Sequence, residues 1–217
     1  LVLQGSLEVT AKELTVNLSS VVSKTYDGNT TIPSLSFELL TPLAGDEVNV
    51  FGNGFYSSKN AGETNYTVSG LTLTGSDASN YVLNGGSNAQ ITGTDGMINK
   101  RSLTVTPKSG ESKVFGTIDP IFTYTFSGQA NGETPDFSGL LDRSIGESEG
   151  SYALLLGTLS LIDNGVFISD NYTLDFTSGV FFTIGNKSIS ATEVTVEPLS
   201  DLVYNGSGQA PLPVVKD

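Results

Sequence analysis

The sequence contains no cysteine, no histidine and no tryptophan, and only one methionine. Without cysteine there is neither a disulfide nor a thiolate metal site. Without histidine, the commonest general base and imidazole metal ligand is gone. These absences remove most metal and acid/base chemistry, but they name no compartment. Charged residues are also sparse, at 15% against a usual ~25%. With 37% hydrophobic residues, the chain belongs among sequences that bury a core. Basic residues are the scarcer sign: ten Lys and Arg against twenty-three Asp and Glu leave a net charge of −13. Such a surface repels phosphate backbones and anionic lipid, so nucleic acid is not an expected partner. No apolar run approaches the roughly 18 residues that span a bilayer, and direct membrane insertion is not expected. Leu1-Val2-Leu3-Gln4-Gly5-Ser6 lacks the charged start and long apolar stretch of a signal peptide, so any targeting signal is expected outside this sequence.

What is present is a repeat. Lys12-Glu13-Leu14-Thr15-Val16 returns as Arg101-Ser102-Leu103-Thr104-Val105 and again as Lys187-Ser188-Ile189-Ser190-Ala191, with the apolar residues 89 and 86 positions apart. Lys24-Thr25-Tyr26-Asp27-Gly28 corresponds to Lys113-Val114-Phe115-Gly116 and to Leu202-Val203-Tyr204-Asn205-Gly206, both aromatic offsets being 89. Gly45-Asp46-Glu47 pairs with Gly132-Glu133-Thr134, Tyr66-Thr67-Val68 with Tyr152-Ala153-Leu154, Gly70-Leu71-Thr72-Leu73 with Gly157-Thr158-Leu159-Ser160, and Asn80-Tyr81-Val82-Leu83 with Asn171-Tyr172-Thr173-Leu174. Ordered landmarks at near-constant spacing mark a tandem array. The reading is residues 1–11 as the tail of a preceding module or a cloning remnant, 12–99 and 100–186 as two modules, and 187–217 as the start of a third, truncated one.

Apolar and polar residues alternate at period two in Leu71-Thr72-Leu73-Thr74, Leu103-Thr104-Val105, Phe122-Thr123-Tyr124-Thr125-Phe126 and Tyr172-Thr173-Leu174-Asp175-Phe176. That period marks half-buried strands, and Thr suits the outward face of a pleated sheet. Turn formers such as Asp27-Gly28-Asn29, Asn84-Gly85-Gly86 and Asn164-Gly165 separate them. About seven short strands per module predict an all-β fold of tandem immunoglobulin-like antiparallel β-sandwiches. The alternative is a β-grasp-like module, with Asp136 to Ser144 as a short helix across the sheet. The short connections Ile98-Asn99-Lys100-Arg101 and Ile184-Gly185-Asn186-Lys187 predict limited bending and an elongated array.

Lys24-Thr25-Tyr26-Asp27-Gly28, with Gly45-Asp46-Glu47, Lys59-Asn60-Ala61-Gly62 and Asn80-Tyr81-Val82-Leu83, resembles the YDG repeat of large bacterial surface proteins. Lys113-Val114-Phe115-Gly116, with Asp119-Pro120, Gly132-Glu133-Thr134, Gly146-Glu147 and Asn171-Tyr172-Thr173-Leu174, is similar to the companion MBG repeat of the YGX type. Phe115 departs from it, standing where that name implies Tyr. Leu202-Val203-Tyr204-Asn205-Gly206 with Gln209-Ala210-Pro211 resembles the start of another MBG-type repeat. The resemblance implies an extracellular, adhesin-like bacterial surface protein with these modules along a stalk. It carries over no catalytic residue.

Tyr26, Phe115 and Tyr204 are expected to be core aromatics pinning a turn, with Asp27, Gly28, Gly116, Asn205 and Gly206 as turn chemistry. Asp77-Ala78-Ser79-Asn80, Asp163-Asn164 and Asp170-Asn171 offer hard oxygen ligands for Ca²⁺, but without the spacing of an EF-hand loop. Asp77, Asp95, Asn99, Asp170 and Asn186 are the weak calcium candidates, and turn chemistry is the competing account. No other cofactor is expected. Tyr56, Tyr66, Tyr81, Tyr152 and Tyr172 lie in strand-like stretches and read as core, with a sugar platform as the rival. Glu147 with Glu149, or Asp46 with Glu47, would be the only carboxylate pairs to consider for glycoside hydrolysis, and neither shows a partner. A Lys–Asn/Asp isopeptide crosslink would need a buried Lys beside a carboxyl group. Asn17, Asn29, Asn65, Asn171, Asn186 and Asn205 form sequons by pattern. The expected function is a non-enzymatic spacer projecting a distal binding region, with neighbouring modules as partners and a monomer in solution. A carbohydrate or host-glycoprotein binding module is the alternative, and an accessory domain of a secreted hydrolase the remote one.

Overall fold

The computed structural model describes residues 5, 7–130, 132–188, 195–196 and 215–216. Among these residues there is no α-helix; strands are joined by turns and three 3-10 turns. In the first module the strands are β1 (Lys12–Leu18), β2 (Ser23–Thr25), β3 (Phe37–Leu40), β4 (Asn49–Tyr56), β5 (Gly62–Thr74), β6 (Tyr81–Leu83) and β7 (Ile91–Asn99). They form two sheets, β3-β1-β6 and β2-β7-β5-β4. The second module has β8 (Arg101–Pro107), β9 (Ser112–Val114), β10 (Tyr124–Ser127), β11 (Asp136–Ser138), β12 (Asp142–Arg143), β13 (Gly150–Leu155), β14 (Ser160–Ile162), β15 (Tyr172–Phe176) and β16 (Phe181–Gly185). Their sheets are β10-β8-β15, β12-β13-β16-β9 and the pair β11-β14.

The all-β expectation holds, and the pairing adds what alternation cannot show. Each module has two parallel ladders, β1 with β6 and β2 with β7, then β8 with β15 and β9 with β16. Period-two patterning is the same for both pairing directions, so the direction comes from long-range topology. Asp136–Ser144, which the β-grasp alternative makes helical, forms β11, a turn at Gly139 and β12.

Two modules of one topology differ in how far their hairpin runs. β4 and β5 pair along their length, with a register shift between Phe51 and Asn53. In the second module the equivalent ladder is cut into β11-β14 and β12-β13. At the cut, Gly139 and Gly157 have φ of 84° and 60°, and a Cβ on either would lie 2.2 Å from the Thr158 carbonyl oxygen or 2.6 Å from that of Leu140. Only glycine fits so close a backbone approach at that φ.

The described residues of the chain divide into two compact units that do not follow the repeat. The first comprises Leu1–Thr106, Tyr124–Gly139 and Thr158–Thr177; the second comprises Pro107–Thr123, Leu140–Gly157 and Ser178–Asp217. The first unit therefore holds the whole first module together with β10-β8-β15 and β11-β14. Its sandwich core packs Val68, Leu71, Leu83 and Ala89 against Val16, Leu18, Phe37 and Leu39. A separate cluster joins Val22, Tyr26, Ile32, Tyr56 and Ile98 of the first module to Leu103, Ala130, Phe167 and Tyr172 of the second. Each buried Val, Leu, Ile or Phe among them contributes roughly 1.5–3 kcal/mol, so this cluster is a substantial part of the first unit. One residue, Lys100, separates β7 from β8. The second unit buries Phe122, Leu141, Leu154, Phe182 and Ile184, with Phe122 edge-on to Phe182 at 5.1 Å.

Candidate functional site

The motif turn of the first module starts where β2 pairs in parallel with β7, Lys24 opposite Ile98. The ladder continues past β2, since the Tyr26 amide donates to the Asn99 carbonyl at 2.9 Å. Lys24 is turned inward with its side chain 4% exposed. Its Nζ donates to Asp27 Oδ1 at 2.6 Å, the Asn29 carbonyl at 2.8 Å, Asn29 Oδ1 at 3.1 Å and the Thr31 carbonyl at 3.0 Å. Asp27 Oδ1 also accepts the Asn29 amide at 3.1 Å, and Asn29 Oδ1 the Thr31 amide at 2.8 Å, two side-chain-closed turns around one ammonium. Burial opposes ionisation of Asp27, but the Lys24 ammonium and the Asn29 amide outweigh it and hold the carboxyl below its ordinary value. Gly28 supplies the positive φ, 83°.

The second module repeats this backbone with a different charge arrangement. Lys113 stands opposite Ile184 in the parallel β9-β16 ladder, and the Phe115 amide donates to the Gly185 carbonyl at 2.8 Å. Gly116 has φ 85°. The Lys113 side chain is 5% exposed, and its Nζ lies 2.6 Å from Asp119 and 2.5 Å from Glu147. Arg143 grips the same carboxylates: Nε reaches Asp119 Oδ2 at 2.6 Å, Nη2 reaches Asp119 Oδ1 at 3.2 Å, and Nη2 also bonds Glu147. Its Nη1 donates to the carbonyls of Ser144 and Gly146, and its guanidinium lies over the Tyr152 ring at 4.9 Å. The Arg143 bond, reinforced by Lys113, holds the Asp119 carboxyl low; Lys113 and then Arg143 do the same for Glu147. Lys113 is raised in turn, by Asp119 first and Glu147 second.

The aromatic of the motif has two fates. Tyr26 is 1% exposed, as expected. Its ring meets Tyr172 edge-on at 5.4 Å, and Phe167 stacks on Tyr172 at 4.9 Å. Both phenols converge on one carboxylate: Tyr26 Oη donates to Glu133 Oε1, and Tyr172 Oη donates to Glu133 Oε2 at 2.6 Å while accepting the Ala130 amide at 2.9 Å. Burial, followed by the bond to Glu133, raises both tyrosines, Tyr172 to about 12. Beside them the Ala61 amide donates to Oδ1 of buried Asn171 at 2.7 Å. Phe115 corrects the expectation of a core aromatic: it is 49% exposed. Tyr26 is buried by its own module's Val22, Ile32, Tyr56 and Ile98 together with Leu103, Ala130, Phe167 and Tyr172 of the module that follows, and the described residues place no such following-module cover on Phe115. Tyr204, Asn205 and Gly206 lie outside the described residues.

The calcium candidates are engaged in turns and pairs. Asp77 Oδ2 accepts the Glu47 amide at 2.9 Å, Asp170 lies 3.9 Å from Lys100, and Asp163 accepts the Ser169 amide at 2.8 Å. The Asn99 carbonyl takes the Tyr26 amide, and Asp95 lies close enough to Tyr66 to help raise it, after burial. Among the described residues no three Asp or Glu side chains gather as metal ligands. Glu147 is held in the Lys113–Arg143 network, while Asp46 accepts from Tyr81 at 2.5 Å and Glu47 from Ser76 at 3.3 Å. Of the five strand tyrosines, Tyr56, Tyr81 and Tyr172 are buried, and Tyr66 and Tyr152 partly so. Lys24 and Lys113 both meet the steric requirement for an isopeptide bond, a buried lysine beside a carboxyl group. Amide formation also needs a neutral amine and a protonated acid, and depressed Asp27 and Asp119 oppose that state.

The sequence carried a signal for the buried lysines that composition alone hides: Lys stands two residues before the aromatic in both complete motifs, whereas Leu202 takes that place before Tyr204. Glu133 and Asn171 sat in matched landmarks, but nothing local indicated that both would face the first module.

Residues 10–92 match the family model of the YDG domain, and residues 103–183 match that of the MBG domain of YGX type. No curated protein and no solved structure matches the chain.

Proposed function

We propose that this chain, a YDG domain followed by an MBG domain of the YGX type, is a non-enzymatic spacer segment of a bacterial cell-surface, adhesin-like protein. The observation that carries this reading is the shared cluster around Tyr26, built from residues of both modules and joined by the single linking residue Lys100. Adjacent modules that share a core resist bending at the joint, which is the property a projecting stalk requires. The titratable groups described above are spent on holding turns and on the joint, consistent with a role without catalysis.

A second reading has one observation in its favour. A groove of about 400 Å³ runs beside β4, with Ile32 and Leu35 at its floor and the half-exposed rings of Phe51 and Phe55 at its rim. Aromatic rings beside a groove suit an apolar sugar face, so a glycan-binding module remains the competing function. Screening the chain on a glycan array decides between them. The spacer reading expects no saturable binding; millimolar or tighter binding that is lost in Phe51→Ala would replace it with the binding reading.

A further inference from the structure

The groups that receive Tyr26 are present twice in the chain, and one set is covered while the other is open. In the covered set the Ala130 amide donates to Tyr172 Oη at 2.9 Å and Tyr172 Oη donates to Glu133 at 2.6 Å. In the first module, 87 and 91 residues earlier, the Leu43 amide donates to Tyr81 Oη at 3.0 Å and Tyr81 Oη donates to Asp46 at 2.5 Å. A 3-10 turn ending in Asn precedes each tyrosine, Ala78–Asn80 before Tyr81 and Ser169–Asn171 before Tyr172. The hydrogen-bonding frame is therefore the same, atom for atom, up to the exchange of Glu for Asp.

Tyr81 and Tyr172 are both buried and Asp46 and Glu133 both half-buried, so the two sets differ in burial at the Asn and at the residue whose amide donates. Asn171 is 1% exposed and Ala130 2%, because Tyr26 and Ala61 lie on them. Asn80 and Leu43 are exposed, Leu43 at 58%. Between these groups is a recess of about 300 Å³, lined by Val9, Lys12, Leu43, Asp46, Asn80 and Tyr81.

We propose that this recess is the receiving half of the same joint, and that its occupant is the Lys-x-Tyr-Asp-Gly turn of a module of this kind bonded ahead of Lys12. The chemistry selects that occupant. In the covered joint the carboxylate accepts a phenol hydroxyl from the incoming turn and the Asn side chain accepts a backbone amide. A carboxylate facing an incoming apolar ring would lose solvent without gaining a donor. The motif of the second module carries Phe115, which has no hydroxyl, so a second copy of this chain presenting that turn does not satisfy Asp46. The proposal deepens the spacer reading by naming what one module receives from its neighbour.

The absence of cysteine permits a trapping experiment. Residues 11–99 are duplicated in tandem within the full chain, so that the added Asn99 is followed by Ala11 and the natural spacing of the first two modules is kept. Cysteines then replace Ala61 of the added copy and Asn80 of the module after it. Ala61→Cys with Asn171→Cys in the unextended chain is the positive control, since those residues are in contact. The proposal expects a disulfide in both, and about tenfold slower trapping in the extended chain when the added copy also carries Tyr26→Phe, the effect of one hydrogen bond to a charged group. Asn60→Cys of the added copy paired with Asn80→Cys is the second pair, in case the first disturbs folding. Trapping in the control with none in either extended pair overturns the proposal. So does a concentration-dependent dimer of the unextended chain that is lost in Asp46→Leu, which would assign the recess to a second copy. Trapping reports the joint alone, so its failure would leave the glycan screen, and the spacer reading it tests, untouched.

Discussion

The two motif turns share a backbone and a buried lysine, yet Tyr26 is enclosed and Phe115 is half exposed. The parallel ladder, the amide bond to the last strand and the glycine of positive φ recur in both, so these features belong to the module. The enclosure of the aromatic does not; it is completed by residues of the module that follows. A side chain's place in a tandem array thus decides whether it counts as core.

The sharpest way to break this comparison is to truncate both aromatics. Tyr26→Ala leaves a cavity among Tyr172, Leu103 and Phe167, and should cost about 3–5 kcal/mol. Phe115→Ala removes a ring already half in water and should cost below about 1 kcal/mol. Urea unfolding of the two variants measures both losses, and equal effects would show that the turns are equivalent after all.

The tyrosines of the joint and the carboxylates of the second turn should also fail at opposite ends of the pH scale. Tyr172 is raised from 10.0 to about 12, so its contribution is complete below about pH 10 and is lost as pH rises through about 12, on the order of 2–3 kcal/mol. Asp119 and Glu147 are lowered, so their contribution is complete above the ordinary carboxylate range and is lost as pH falls through their depressed values. Hydrogen exchange resolved by peptide should show the Tyr172 and Glu133 region losing protection in alkali and the Asp119 and Glu147 region losing it in acid, where Asp27 of the first turn weakens as well. The reverse pattern would contradict the charge assignments.

The lysines test a finer difference. Among the described residues Lys24 is the one cation bonded to Asp27 and to the Asn29 and Thr31 carbonyls, and Lys24→Met should cost about 2 kcal/mol by taking the donor from these carbonyls and leaving Asp27 with the Asn29 amide. Lys113→Met should cost less, because Arg143 still holds both Asp119 and Glu147. Thermal unfolding of the pair gives the ranking; a larger loss at Lys113 would mean that Arg143 does not substitute.

What was legible beforehand follows the range of each interaction. Strand positions, the turn glycines and the module period are local or repetitive signals, and Leu103 is buried where alternation placed it and Tyr26 where the turn motif did. Parallel pairing was hidden, because Leu14 opposite Leu83 and Leu103 opposite Leu174 read the same in either direction. The contacts of Tyr26 with Glu133 and of Ala61 with Asn171 span more than a hundred residues. No periodicity encodes them, and a reading that took each module as a closed unit placed Phe115 in a core by analogy with Tyr26. Asp163, which accepts the Ser169 amide six residues on, shows the converse: its turn chemistry was local and was readable.

The smallest effect isolates the hydroxyl from the ring. Tyr26→Phe keeps the edge-on contact with Tyr172 and removes the hydroxyl that bonds Glu133, which retains Tyr172 as a donor. The loss should be about 1–2 kcal/mol, the value of a hydrogen bond to a charged acceptor that is not left wholly unpaired. The reciprocal change, Phe115→Tyr, adds a hydroxyl to a side chain with water already beside it and should leave stability within about 0.5 kcal/mol. Removing Glu133 as well settles the origin of the first effect: in a Glu133→Gln background, Tyr26→Phe should cost distinctly less than in the unaltered chain, because a neutral acceptor makes the weaker bond. An undiminished cost there would show that the hydroxyl matters for a reason other than the carboxylate, and the joint would then rest on its apolar contacts alone.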